Sequence, residues 1–213
     1  MEKSIKNFDQ ELLLQTGQRL RPDDRSGVQM EDNNANEVIK NLVSQTIPTI
    51  IYGGTGHSLL GINPGSQNGR TDVSGFRFQG GDPDYYSGMH ITFTGPTAWR
   101  NLRIHNNVFA DSINNSIRGG SATEGLIDHN TFTGAGHNIQ LDGAGATDWT
   151  GSTPAPFGTA AFFFIEDNTF ANADDYGSTG RIAVDTTNGG RSVFRHNTLN
   201  NAFWENHDRC RSG

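Results

Sequence analysis

The chain has 213 residues, a formal net charge of −7 and 33% hydrophobic residues, with a mean hydropathy of −0.59. No window approaches the roughly 18 consecutive apolar residues of a transmembrane helix. The opening hexapeptide, residues 1–6, lacks the apolar core of a signal peptide. The single cysteine, Cys210, excludes an intramolecular disulfide framework and a multi-cysteine zinc site. An acidic chain disfavours nucleic acid, so we expect neither nucleic acid nor membrane as a partner.

The composition changes near residue 50. All three lysines lie before that point, but only two of the 27 glycines do. Asn36 can cap a helix in which Val38, Ile39 and Leu42 share one face, which predicts a capping helix over 36–44. A shorter helix is predicted at 11–14. We therefore divide the chain into a helical and linker segment, 1–50, and a repeat domain, 51–213.

The repeat domain contains a short template: an apolar residue, two polar residues, asparagine, any residue and an apolar residue. The template occurs at 104–109, 127–132, 165–170 and 194–199, and a weaker copy without the asparagine occurs at 73–78. Each copy is accompanied by a second short apolar strand. Such a unit cannot bury its own apolar side, whereas units stacked in parallel can. The pattern predicts an all-β parallel solenoid of about five coils.

The asparagine of each template has a structural explanation. Asparagine accepts left-handed backbone geometry at a bend, and its amide can bond the asparagine of the next layer. We therefore interpret one set of residues as a ladder that stabilises the turns: Asn107, Asn130, Asn168 and Asn197. The apolar template positions are predicted to form the core.

These Ile-x-x-Asn-x-Phe steps resemble the right-handed parallel β-helix of the pectate-lyase-like superfamily. The segment 32–39 is similar to the capping helix that opens many such domains, including phage tailspikes. The likeness spans roughly 33–208. It implies a scaffold used by polysaccharide lyases, glycosidases and tailspikes, a polysaccharide or glycan partner, and an extracellular or particle-associated location.

Candidate catalytic residues follow from aligning the second strands on Ile117, Ile139, Ile182 and Phe203. Three positions later, Asp142 and Asp185 should then be stacked neighbours, either as an acid–base pair or sharing a calcium ion. Calcium is the one cofactor that this pair suggests. The alternative is that both aspartates are turn residues.

Further site candidates surround that pair. His137 and His207 flank the predicted surface and can act as general bases near neutral pH. Arg181 and Arg118 can hold a uronate carboxylate, as lyase chemistry requires. The remaining candidates for sugar contact are Trp149, Trp204 and Glu205.

The sequence leaves three hypotheses open. The first is an enzyme that cleaves a polysaccharide, by lysis or by hydrolysis, with acid–base chemistry on one solenoid face. The second is a non-catalytic β-helix that binds glycan or forms part of a larger particle. The third is a piece of a longer solenoid, with self-association through an uncapped C-terminal coil.

Overall fold

The structure, a computed structural model, describes the chain in segments: residues 3–5, 12–14, 19–23, 27–31, 37–40, 49–51, 58–63, 71–80, 89–93, 102–112, 115–120, 124–133, 137–142, 162–171, 182–187, 190 and 192–206. Within these segments the secondary structure consists of strands in three sheets, without a helix.

Sheet 1 contains β1 (Lys3–Ile5), β2 (Leu12–Leu14), β5 (Glu37–Lys40), β8 (Thr71–Ser74), β11 (Leu102–His105), β14 (Gly125–Asp128), β17 (Phe163–Glu166) and β20 (Ser192–Arg195). Sheet 2 contains β6 (Thr49–Ile51), β9 (Arg77–Gln79), β12 (Val108–Ala110), β15 (Thr131–Thr133), β18 (Thr169–Ala171) and β21 (Thr198–Asn200). Sheet 3 contains β3 (Arg19–Asp23), β4 (Gly27–Glu31), β7 (Ser58–Asn63), β10 (Met89–Phe93), β13 (Ile117–Gly120), β16 (Ile139–Asp142), β19 (Ile182–Thr187) and β22 (Phe203–Asn206).

From β5 onward the chain visits sheets 1, 2 and 3 in turn, and each strand pairs in parallel with the equivalent strand of the next coil. This is the stacking of a parallel β-helix, as the repeat predicted. The described strands form six coils, β5–β7, β8–β10, β11–β13, β14–β16, β17–β19 and β20–β22, rather than about five. We refer to them as coils 1 to 6.

The core consists of apolar columns that run through the coils. Ile104, Ile127 and Ile165 are in register in sheet 1 and fully buried. In sheet 2, parallel phenylalanine rings stack with centroid separations of 5.1, 4.8 and 4.7 Å, in the order Phe78, Phe109, Phe132 and Phe170. Identical residues at the same template position therefore pack on one another, and this explains why the repeat conserves its apolar positions between copies.

The predicted asparagine ladder is present at the bend between sheets 1 and 2. The side-chain oxygen of Asn130 accepts hydrogen bonds from the backbone N–H and side-chain amide of Asn107, at 3.0 and 3.2 Å. Asn168 and Asn197 continue the pattern. In coil 2, where the asparagine is missing, the Phe76 N–H donates to the oxygen of Asn107.

The left-handed residue at this bend is not the asparagine itself, so that part of the interpretation was wrong. Positive φ angles of 54–57° occur at the residue before each ladder asparagine, namely Asn106, His129, Asp167 and His196. In coil 2 the same place is taken by Gly75, with a φ of 83°. The asparagine is selected for its amide, which has to bond two coils at once.

The helices predicted near the N-terminus are not what the structure shows. Glu37–Lys40, inside the predicted capping helix 36–44, forms β5 and pairs in parallel with β8. Leu12–Leu14, inside the second predicted helix, forms β2, which pairs antiparallel with β1 and β5. Pairing with a neighbouring strand outweighs a local helical pattern in segments this short. The other residues of 36–44 lie outside the described segments.

Candidate functional site

The predicted stacking of Asp142 on Asp185 is wrong by two residues. In the pairing of β16 with β19, Asp185 lies opposite Gln140, and Asp142 lies opposite Thr187. With about 4.8 Å between strands and 3.3 Å per residue, the two Cα atoms are about 8 Å apart. Both aspartates still lie on the outer face of sheet 3, because their strand positions differ by an even number.

The misalignment has a physical cause in β19. Ile182 and Val184 are both apolar, both buried and two residues apart, so either could continue the column of Ile139. In the structure, Val184 lies opposite Ile139 and continues the column. A register shift between Ile182 and Val184 in the pairing with β22 disturbs the next coil as well.

Asp142 is held between two neighbouring coils. The Nε and Nη2 atoms of Arg118 in coil 3 lie 3.2 Å from its Oδ2 atom. The hydroxyl of Thr187 in coil 5 donates a hydrogen bond to its other oxygen. Gly120 lies opposite Asp142 in register. Arg118 and Asp142, predicted separately, are thus brought together.

Asp185 is the centre of a second group. Its carboxylate is fully buried, accepts a hydrogen bond of 3.2 Å from Gln140 Nε2, and lies 3.5 Å from His137 Nδ1. The side-chain amide of Asn115 in coil 3 in turn donates to Gln140 Oε1 at 3.0 Å. These hydrogen bonds connect three consecutive coils through Asn115, Gln140 and Asp185. His137 lies next to Asp185, the buried residue at the end of this series.

Three participants were missed by sequence reasoning: Asn115, Gln140 and Thr187. Gln140 carried a usable signal, since it precedes Asp142 by two residues and shares its face of the strand. Thr187 and Asn115 became identifiable only with the correct register.

The other predicted site residues lie in different parts of the structure or outside the described residues. Glu205 lies opposite Asp185 and extends the outer row into coil 6. Trp204 instead lies opposite the buried Val184, in a core column, and is 51% exposed at coil 6. It is therefore not part of the outer row. Trp149, Arg181 and His207 lie outside the described residues.

A separate polar cluster occupies the outer face of sheet 1. Arg103 donates to both oxygens of Asp128, at 2.9 and 2.7 Å, and His129 Nδ1 lies 2.8 Å from the same carboxylate. Burial alone would raise the pKa of Asp128, but the hydrogen bonds from Arg103 and His129 and the nearby charges outweigh it and lower that pKa. The bond to Asp128 also raises the pKa of Arg103.

One further titratable residue, His90, lies in the interior. His90 is fully buried, its ring stacks near Phe78 and Phe109, and its Nε2 atom lies 2.6 Å from the carbonyl oxygen of Gly80. Burial lowers the pKa of His90 from 6.5 to about 4, so the ring is neutral at physiological pH. A neutral ring that donates from Nε2 satisfies that bond.

Among the described residues, no group of three or more His, Cys, Asp or Glu side chains is arranged to hold a metal ion. In the same part of the chain, no helix has the length and apolar character needed to cross a membrane.

The chain matches no protein-family model, no curated protein and no solved structure. What is shown is the architecture, three sheets of stacked parallel strands, and the outer face of sheet 3 is its best candidate site.

Proposed function

We propose that the protein acts on a polysaccharide along the outer face of sheet 3, with His137 as the proton-transferring residue. The observation that carries this proposal is the position of His137 Nδ1, 3.5 Å from the fully buried carboxylate of Asp185. A buried carboxylate can orient an imidazole and stabilise its protonated form. The side-chain amide of Gln140 donates to the same carboxylate oxygen, Oδ2, and helps to hold it in place.

Asp142 supplies the second carboxylate of the proposed site. Glycosidases that invert stereochemistry separate their two carboxyl groups by about 6.5–9.5 Å, whereas retaining enzymes need about 5–5.5 Å. The two-residue offset places the Cα atoms of Asp142 and Asp185 about 8 Å apart, so they are not the directly stacked pair first expected. The stereochemistry of the product would distinguish inversion from retention. Arg118, bonded to Asp142, borders the same surface.

A non-catalytic glycan-binding or structural β-helix is the second candidate, and one observation favours it. Asp142 bonds Arg118 of coil 3 and Thr187 of coil 5, so its carboxylate is used to join coils. A ladder of this kind can exist for stability alone.

Two broader proposals accompany either function. The superfamily resemblance supports a right-handed winding, which parallel crossovers adopt almost without exception, and a pectate-lyase-like ancestry. It also supports an extracellular or particle-associated location.

The test is a panel of polysaccharides assayed for reducing ends and for the ultraviolet absorbance of unsaturated lyase products. His137→Gln and Asp185→Asn should each lower turnover by about 100-fold, the usual worth of a general base. Glu166→Gln, on the outer face of sheet 1, is the matched control and should leave turnover unchanged. Binding without turnover by the wild-type protein would favour the glycan-binding candidate. Neither binding nor turnover would overturn the catalytic proposal and leave the structural β-helix.

A further inference from the structure

We infer that the interior corner between sheets 2 and 3 is a binding site for ordered water, in which one water molecule bridges His90 of coil 2 and Ser116 of coil 3. The site lies inside the solenoid and is independent of the proposed function. A column of buried polar side chains defines it, at a bend where the sequence repeat has no fixed residue.

The column consists of the residues that directly precede three core isoleucines. Its members are His90, Ser116 and Asn138, and the isoleucines Ile91, Ile117 and Ile139 are register partners in consecutive coils. The backbone N–H of Ile91 donates to the carbonyl oxygen of Ser116 at 2.9 Å, which fixes the two coils against each other. His90 and Ser116 are both fully buried, so bulk solvent cannot pair their polar atoms.

Two atoms of this column lack a hydrogen-bond partner among the described residues, namely His90 Nδ1 and Ser116 Oγ. The Nε2 atom of His90 lies 2.6 Å from the carbonyl oxygen of Gly80. A neutral ring that donates this bond keeps a lone pair on Nδ1, so Nδ1 requires a donor. Most buried polar side-chain atoms bond either protein or ordered water, and the described protein supplies no bond to these two.

The spacing of the coils favours a bridging water over a direct bond. Residues at the same position in neighbouring coils are about 4.8 Å apart, whereas a water with two bonds of about 2.8 Å joins atoms about 4.6 Å apart. The asparagine ladder crosses the same step with longer side chains, as in the bond of 3.2 Å from Asn107 to Asn130. The hydroxyl of Ser116 is only one bond beyond Cβ and does not reach as far.

The ligand of this corner has to be small and neutral. Ser116 is smaller than both of its neighbours in the column, His90 and Asn138, so stacking at a fixed spacing leaves room beside its hydroxyl. The three side chains carry no charge when His90 is neutral, and an ion placed among them would lose its hydration without gaining a counter-charge. Water can donate to His90 Nδ1 and accept from the Ser116 hydroxyl.

A high-resolution crystal structure of the full chain tests the site. We expect a density peak about 2.8 Å from both His90 Nδ1 and Ser116 Oγ. Ser116→Val removes the hydroxyl and fills its surroundings with methyl groups, so the peak should disappear. In solution, relaxation dispersion of water deuterons should then count about one long-lived water fewer than in the wild type. Ser74→Val, at a buried serine of sheet 1, is the matched control and should leave the peak in place.

Ser116→Ala provides a second variant if valine prevents folding. It removes one of the two partners of the water, so the peak should be lost or clearly weakened. A wild-type structure in which Ser116 Oγ bonds His90 Nδ1 directly would overturn the inference, as would one without a peak within about 3.5 Å of these atoms. A peak that persists in Ser116→Val would do the same. The polysaccharide assays are unaffected by any of these results.

Discussion

His105 bonds Asp72 along a diagonal of sheet 1 and not straight across it. The two atoms, His105 Nε2 and Asp72 Oδ1, are 2.9 Å apart, although the register partner of Asp72 is Arg103 and that of His105 is Asp128. Arg103 in turn reaches diagonally to Asp128. Strand β11 therefore bonds β8 through His105 and β14 through Arg103. The two diagonal bonds connect three coils.

Replacing Asp128 with asparagine tests how much its ion pair with Arg103 contributes to stability. The Asp128 side chain is only 3% exposed, and hydrogen bonds to buried charged groups contribute about 2 kcal/mol. We expect the free energy of unfolding of Asp128→Asn to fall by about that amount at neutral pH, measured by urea denaturation. Because its folded-state pKa is lowered, the charged carboxylate stabilises the fold above the unfolded value, about 3.9. The difference between variant and wild type should shrink as the pH falls below about 4.

The control is Glu166→Gln in the next coil of the same row. Glu166 bonds Arg195, which is half-exposed, and exposed ion pairs contribute about 0–1 kcal/mol. Equal losses for the two variants would show that burial of Asp128 does not strengthen its pair with Arg103.

His90 should make the fold sensitive to mild acid. Its pKa is about 4 in the folded protein and 6.5 in the unfolded chain, so between these values the unfolded state binds the extra proton. The stabilisation is complete above pH 6.5 and declines as the pH falls to 4, by on the order of 3 kcal/mol. His90→Gln, whose amide can still donate to the Gly80 carbonyl, should lessen that decline. Unfolding curves with unchanged pH dependence in the variant would contradict the assignment to His90.

Asn168→Ala should cost more than Asn197→Ala, although both occupy the same template position. The side-chain oxygen of Asn168 accepts two bonds from Asn130, and its amide donates to the carbonyl of Ile127 at 2.8 Å. Removing it leaves several buried groups unpaired, at about 1–3 kcal/mol for each group. We expect a loss of about 3 kcal/mol for Asn168→Ala and about half of that at the less buried Asn197. Thermal and urea denaturation of both variants would measure the difference. Equal small losses would contradict the claim that the buried hydrogen bonds of the ladder stabilise the fold.

Gly119 is predicted to tolerate no side chain without a change in Phe93. A Cβ atom at Gly119 would lie 2.0 Å from the Phe93 ring, whose neighbour Phe163 stacks 5.8 Å away. Overpacking of this kind costs about 1–3 kcal/mol. Gly119→Ala should be destabilised by about this much, and Phe93→Leu should recover part of the loss in the double variant. A double-mutant cycle measures the coupling, and strictly additive losses would exclude the clash.

The repeat made the parallel stacking predictable because its signal lies in the core. Ile104, Ile127 and Ile165 recur with the same neighbours, and only stacking in register buries all three. The asparagine ladder was predictable for the same reason, although its left-handed neighbour was not, because that position accepts residues as different as Asn106 and His129.

The candidate site was harder to predict, since it depends on register between unlike strands. Ile182 and Val184 offer two alignments of equal apolar quality, and a shift of two residues keeps every side chain on its face. The pattern therefore placed Asp142 and Asp185 on the correct surface but at the wrong separation. Thr187, which bonds Asp142, became identifiable only once that register was known.

The stacked rings from Phe78 to Phe170 have a consequence for how the molecule loses structure. Along the stack, each ring packs on the rings of the coils on either side, so cooperativity is passed from coil to coil. Amide hydrogen exchange should accordingly be slowest in β12 and β15, midway along the stack, and faster toward β21, where Leu199 is exposed in place of a buried ring. A defect in one coil would then shorten the ordered stretch instead of unfolding the whole chain.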